Sequence, residues 1–124
     1  MAEPIDRTHL ERLAARFGAE FLVELIDLFV AQGKERLDAA EQGIATGDAD
    51  AIVAAAHSLK SSAGNLGAAA LGQRAAEIER RGRNGAAADV LAPMVGSLRD
   101  AFTKACAALE VMREDEVCCV RALE

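Results

Sequence analysis

The strongest constraint on the fold is an apolar stripe that recurs at steps of three and four along residues 19–46. This spacing matches one face of an α-helix and differs from the alternation of a strand. Gly33 interrupts the stripe with a notch, and Gly47 is placed to end the helix. We therefore predict one long helix with a single buried face. The stripe consists of Leu22, Leu25, Phe29, Gly33, Leu37, Ala40 and Ile44.

Four further segments have helical periodicity and are separated by short turns. Ala, Leu, Glu and Arg dominate the composition, only two prolines occur, and Trp and Tyr are absent, which favours helices over strands. Because short turns favour antiparallel neighbours, the predicted fold is all-α. It is an up-and-down antiparallel four-helix bundle with a short additional N-terminal helix. The four segments are residues 6–18, 48–65, 68–81 and a last helix that starts between residues 86 and 93.

The length of 124 residues is that of one domain with one core. We expect a single domain over residues 1–124, with its core at about 5–112. Residues 113–124 are charged at their start and are expected to form a tail or to extend the last helix.

The net charge of −6 argues against nucleic acid as a partner, since a phosphate backbone attracts clustered Lys and Arg. The one basic cluster, Arg80-Arg81-Gly82-Arg83, is short and follows Glu77 and Glu79, so it is interpreted as a solvated helix end.

The cysteines and the hydropathy pattern bear on the compartment. Three cysteines without a spaced framework argue against a disulfide scaffold and for a reducing compartment. The apolar runs are short and interrupted by charge, so neither a signal peptide nor a membrane span is predicted. We expect a cytoplasmic protein that contacts no membrane.

The third predicted helix places His57 on its outer face. The apolar stripe of this helix is predicted to be buried, and His57 projects roughly 140° away from the centre of that stripe. Lys60 lies one turn from His57, and the other residues on this face are mostly small. Glycine inside a helix costs about 1 kcal/mol relative to alanine, so an outward Gly64 indicates a role other than stability. The buried stripe is Ile52, Ala56, Leu59, Ala63 and Leu66, and the outer face carries Ala54, Ser61, Gly64 and Ala68. Val53 lies on the flank between the two, where it either closes the edge of the core or offers a partner an apolar contact.

An exposed neutral imidazole is a good nucleophile near neutral pH, and a nearby lysine suits a phosphoryl group. The sequence shows no base to orient His57, no carboxylate pair for Mg²⁺ and no glycine-rich nucleotide loop. These absences favour a group that accepts phosphoryl from another protein, which itself brings the metal and the acid.

At these residues the sequence resembles the histidine-containing phosphotransfer (HPt) domains of two-component phosphorelays. The family motif is approximately A-H-x-L-K-G-S-S-x-x-L-G-A. Residues 56–60, Ala-His-Ser-Leu-Lys, match its opening, Ser62 matches its serine run, and residues 66–68, Leu-Gly-Ala, match its close. The resemblance covers about residues 5–112. Two positions depart from the motif: Ser61 replaces the usual glycine, and Ala63 stands where a second serine is common.

The resemblance implies a phosphorelay role for each of these residues. His57 would be the phosphorylated residue and Lys60 the phosphate stabiliser. Val53, Ala54, Ser61, Gly64 and Ala68 would form the surface on which receiver domains dock. The implied partners are response-regulator receiver domains and a sensor or hybrid histidine kinase. The protein itself is expected to be a monomer. The implied carrier has no cofactor and no autokinase activity, with Mg²⁺ bound to the partner receiver.

Three other interpretations of the same residues fit the sequence less well. His57 would be incidental if the small residues served helix packing, but such residues should then lie mainly on the buried stripe. A helical docking module that binds a receiver or kinase without phosphorylation would be expected to lack the histidine. A metal-binding bundle needs inward-facing ligands, whereas His57 faces outward.

Overall fold

A computed structural model describes the backbone of residues 4–123 and the side chains of residues 4–115. Within that range the chain forms five helices and no strand, which confirms the all-α prediction. The last helix continues through the predicted tail region. The helices are α1 (Arg7–Phe17), α2 (Ala19–Thr46), α3 (Ala49–Asn65), α4 (Ala69–Arg83) and α5 (Ala88–Leu123).

Side-chain caps and glycines define the helix ends. Asp6 caps α1 by accepting a hydrogen bond from the backbone N–H of His9, and Asp48 caps α3 in the same way from Ala51, each at 3.1 Å. Gly47 ends α2 in the left-handed conformation, with φ of 72°, where its missing side chain avoids strain. Consecutive helices are therefore joined by short turns.

Helices α2 to α5 form the predicted four-helix bundle. Helix α3 packs on α2 and α4, and α5 packs on α2 and α4, so α3 and α5 face each other mainly across the diagonal. Helix α1 packs against α2, and the segment before α1 lies against the turn between α3 and α4, where a Cβ on Gly67 would meet Asp6. None of the helices, within the described range, is long and apolar enough to cross a membrane.

The buried face of α2 differs slightly from the prediction. Leu25 and Ile44 are half-buried at its edges, whereas Ile26 and Gly43 are fully inside. A straight helix of 3.6 residues per turn drifts relative to any fixed pattern of threes and fours, and this drift moves the buried line by one residue. The predicted stripe of α3 is buried over its full length.

The end of α4 also differs from the prediction. The helix continues through Gly82 to Arg83 instead of turning at Gly82. A Cβ on Gly82 would overlap the side chain of Val53, so this glycine allows α3 and α4 to approach closely. Helix α5 starts at Ala88, which places Pro93 in its second turn.

The notch at Gly33 is filled by Phe102 of α5. The Phe102 ring lies 5.5 Å from the ring of Phe29, and both phenylalanines are buried. A Cβ on Gly33 would overlap the Phe102 ring. This contact fixes the register of α2 against α5.

Replacing Gly33 by alanine is expected to destabilise the fold by about 1–3 kcal/mol, because the ring must leave its site. The gain in helix propensity, up to about 1 kcal/mol, offsets part of this loss. Gly96 of α5 is the matched control, because it is exposed and has open space where a Cβ would lie. Gly96→Ala should therefore stabilise the protein. Urea unfolding of both variants measures the difference, and equal stabilisation by both would contradict the packing described.

Candidate functional site

His57 lies on the outer face of α3, as predicted. Its side chain is 55% exposed, while Ala56 and Leu59 on the same helix are buried in the core. The imidazole therefore stands at the surface of the bundle on a helix that is anchored along its opposite side. A second protein can approach it without any rearrangement of the core.

Glu79 of α4 lies beneath the imidazole and is almost completely buried. It is the only buried polar or charged residue among residues 4–115. A buried carboxylate is costly unless it is paired and hydrogen-bonded. Its partners therefore explain why it is tolerated there.

Three cationic or potentially cationic side chains surround this carboxylate. His57 Nδ1 lies 2.5 Å from Oε2, and Lys60 Nζ donates to Oε1 at 2.5 Å. Arg83 contributes a third contact, with a guanidinium nitrogen 3.1 Å from Oε2. Both carboxylate oxygens are thus occupied.

The pKa of Glu79 is lowered by these partners. The hydrogen bond from Lys60 has the largest effect, and burial opposes it by raising the pKa. The hydrogen bond from His57 and the positive charge of Arg83 lower the pKa further. The net shift is downward, so Glu79 is ionised at neutral pH.

An ionised Glu79 determines which nitrogen of His57 is available. A carboxylate only accepts hydrogen bonds, so Nδ1 must carry the proton that it shares with Glu79. In the neutral imidazole the lone pair is then on Nε2. The interaction also fixes the ring orientation, as carboxylates do for metal-bound histidines.

Glu79 is the residue at the site that sequence reasoning missed, and it supplies the orienting group for His57 that the sequence did not show. The arginines after it suggested an exposed segment, and Glu77 does lie at the surface with Arg80 and Arg81. Glu79, however, follows Ala75 by four residues and so continues the buried face of α4. A carboxylate in phase with the core face was the signal that could have identified it.

Four of the five predicted docking residues lie where the helical rotation placed them. Ala54, Ser61 and Gly64 are exposed, and a Cβ on Gly64 would meet no atom within 4 Å. Val53 is half-buried and packs against Gly82 of α4, so it closes the edge of the core. The space above α3 is open along the exposed positions.

The prediction for Ala68 is wrong, because this residue is fully buried. Helix α3 ends at Asn65, and the backbone N–H of Ala68 donates to the carbonyl of Ala63 at 2.9 Å, so the chain has already turned inward. Rotation by 100° per residue does not apply beyond a helix end.

The Ser61 hydroxyl donates to the backbone of the preceding turn. It lies 3.3 Å from the backbone carbonyl of His57, four residues earlier. Hydroxyls of this kind often bond back to the preceding turn of a helix. The Ser61 side chain therefore lies along the helix surface.

The structure adds exposed apolar residues of α1 and α2 beside the outer face of α3. Phe17 and Phe21 are exposed, with their rings 5.1 Å apart. Phe21 lines a surface groove together with Gly64, Asn65 and His9. His9 is only half-buried and its Nε2 lies 3.0 Å from the carbonyl of Asn65. An apolar surface thus adjoins the outer face of α3.

No group of three or more His, Cys, Asp or Glu side chains is placed to hold a metal ion in the part of the chain whose side chains are described. Glu79 is the carboxylate at the site, and its oxygens are engaged by nitrogen donors. The arrangement matches an oriented nucleophile rather than a metal centre.

Comparisons with known proteins identify the family to which this helical bundle belongs. The family model of the Hpt domain matches residues 24–114. Histidine-containing phosphotransfer protein B of Pseudomonas aeruginosa has a similar structure, with a TM-score of 0.82 and 26% identity over 93% of this chain and 98% of that chain. The HPT domain of a sensor hybrid histidine kinase from Shewanella shares the fold, with a TM-score of 0.77 and 15% identity over 90% and 95%. Comparison with curated protein sequences gives no match. The chain belongs to the family of Hpt domains, which serve histidine phosphotransfer in phosphorelays.

Proposed function

We propose that His57 carries the phosphoryl group and relays it between the aspartates of two receiver domains. The observation that supports this most directly is the exposed imidazole whose Nδ1 is held by the buried carboxylate of Glu79. The donor would be the receiver of a sensor or hybrid histidine kinase, and the acceptor a response regulator.

In the proposed step the Nε2 lone pair attacks the phosphorus of an aspartyl phosphate. The N–P bond forms as the P–O bond to the aspartate breaks, and the bonding pair leaves with the aspartate carboxylate. The Nδ1 proton stays on the ring, so the neutral imidazole becomes an imidazolium that carries the phosphoryl group. Glu79 faces the charge that develops and stabilises it, as an orienting carboxylate does for other catalytic histidines.

Lys60 is proposed to stabilise the phosphoryl group. Its ammonium donates to Glu79 in the structure, and it is proposed to turn its protons to the phosphoryl oxygens as that group arrives. Its side chain is 39% exposed, so it is accessible at the surface beside His57. We expect it to act as a mobile point charge rather than as a fixed clamp.

The protein is proposed to be a carrier without autokinase activity and without a cofactor of its own. The sequence has no glycine-rich loop to cradle nucleotide phosphates, and the buried carboxylate is committed to His57, Lys60 and Arg83. Mg²⁺ would be bound by the partner receiver, together with the reacting aspartate.

The docking surface is proposed to comprise Ala54, Ser61 and Gly64, extended by Phe21 and Leu28 of α2. Phe21 and Leu28 are exposed large apolar residues, and both line crevices that reach Asn65 near Gly64. Aromatic and aliphatic side chains at the surface are typical anchors of protein interfaces. A receiver seated on α3 would cover them.

Replacing Gly64 by arginine is expected to slow transfer from a phosphorylated receiver by about 100-fold or more, because a displacement of about 1 Å can have that effect. The fold should be retained, since the site of the added side chain is open. Labelling of His57 by the small donor phosphoramidate should continue at the normal rate.

Gly96→Arg is the matched control for this variant, because Gly96 is equally open but lies on α5, across the bundle from α3. Normal transfer by Gly64→Arg would refute the docking surface. Receiver binding without any labelling of the wild-type protein would instead support a docking module that is not phosphorylated.

A further inference from the structure

Glu79 has more cationic partners than its orienting role requires. In the proposed transfer, Lys60 is needed at the phosphoryl group and His57 is itself modified. Arg83 is the third partner, and its side chain is 62% exposed while that of Glu79 is 6% exposed. Its contact with Oε2 is therefore the one that phosphorylation leaves unchanged.

We propose that Arg83 is a positioning residue that holds the buried Glu79 carboxylate in place while Lys60 turns to the phosphoryl group. This inference rests on the proposed function and adds a residue to it. Arg83 acts through Glu79 and touches neither the imidazole nor the phosphoryl group in the proposed step.

The position of Arg83 on α4 supports this assignment. It follows Glu79 by four residues on the same helix, with the acid on the N-terminal side, which is the favourable order for such a pair. Lys60 and His57 both reach Glu79 from α3. The Arg83 pair is thus internal to α4 and does not depend on what happens to α3 when a receiver docks.

No other arginine of this helix end is available for the task. Arg80 and Arg81 both bind Glu77, whose pKa they lower to about 2. Arg83 alone among these three approaches Glu79. The basic cluster therefore divides into a surface pair around Glu77 and one arginine that serves the site.

The chemistry shows when Arg83 matters. Before transfer, Lys60 and Arg83 both face the Glu79 carboxylate. As Lys60 engages the incoming phosphoryl group, Arg83 becomes the one partner of Glu79 that has a full positive charge. This lasts until the imidazolium has formed. If Glu79 were protonated at that moment, it would no longer favour the proton on Nδ1, and Nε2 would lose its lone pair in part of the population.

The experiment compares Arg83→Gln with Arg83→Lys and with Arg81→Gln, the matched loss of charge on the same turn. Carbon-13 NMR of the side-chain carboxyl measures the pKa of Glu79 in each variant. Transfer rates are measured as a function of pH with two donors, phosphoramidate and a phosphorylated receiver. Removing Arg83 should raise the pKa of Glu79, since its charge lowers that pKa. Arg83→Gln should therefore lose about three- to tenfold in rate, more in acid than in alkali, with both donors.

Arg83→Lys should recover most of the rate, and Arg81→Gln should behave as the wild type. An unchanged Glu79 titration in Arg83→Gln, or an equal rate loss in Arg81→Gln, would overturn the inference. A loss seen only with the receiver would also overturn it, by showing that Arg83 is a docking residue. If the wild-type protein takes no label at His57, the proposed function fails, and the inference fails with it whatever Glu79 does.

Discussion

The His57→Gln variant is expected to take up no phosphoryl group from either a phosphorylated receiver or phosphoramidate. Glutamine has no nucleophilic lone pair comparable to that of imidazole, so no N–P bond can form. Loss of labelling should be complete, within the detection limit of an acid-labile radiolabel or of intact-protein mass spectrometry. The fold should be retained, because the imidazole is exposed and contributes little to the core.

His9 provides the matched control for this experiment. It is the second histidine of the chain and lies on α1, where its Nε2 is close to the carbonyl of Asn65. His9→Gln should be labelled at the wild-type rate by phosphoramidate. A label that persists in His57→Gln, or that is lost in His9→Gln, would contradict the assignment of His57 as the phosphorylated residue.

Removing the carboxylate of Glu79 is expected to slow phosphoryl transfer by about 10- to 100-fold, the usual effect of losing a group that orients a functional histidine. Glu79→Ala removes both the hydrogen bond and the charge. Glu79→Gln retains a carbonyl that can accept from Nδ1 but loses the charge, so it should fall between Glu79→Ala and the wild type. Comparing the two separates ring orientation from electrostatic stabilisation.

Nitrogen-15 NMR of His57 gives a readout that is independent of the rate. In the wild type the neutral ring should carry its proton on Nδ1, and Glu79→Ala should shift the population towards the Nε2–H tautomer. Glu77→Gln is the control, because Glu77 lies two residues away and binds only Arg80 and Arg81 among the described side chains. Unaltered transfer in Glu79→Ala, with an unaltered tautomer, would show that the carboxylate does not orient the ring.

The sequence was sufficient for most features that depend on one helix at a time. Hydrophobic periodicity defined the helices and most of their buried stripes, since the 3.6-residue period is a local property of the backbone. The same rotation placed His57, Ala54 and Gly64 on the outer face of α3. The notch at Gly33 was also visible, although nothing local identified Phe102 as the side chain that fills it.

The features that needed the tertiary structure all depend on how two helices lie against each other. His57 and Glu79 are 22 residues apart, and their hydrogen bond exists because Gly82 lets α4 approach Val53 of α3 at one register. A shift of one residue along α4 would rotate the carboxylate by about 100° away from the imidazole. Ala68 turned inward because α3 ended before it, and Phe21 stayed exposed because α1 covers only part of α2. The sequence by itself therefore determined the fold class and the outward position of His57. The packing of α3 on α4 decided what orients it, since local periodicity contains no information on the register between helices.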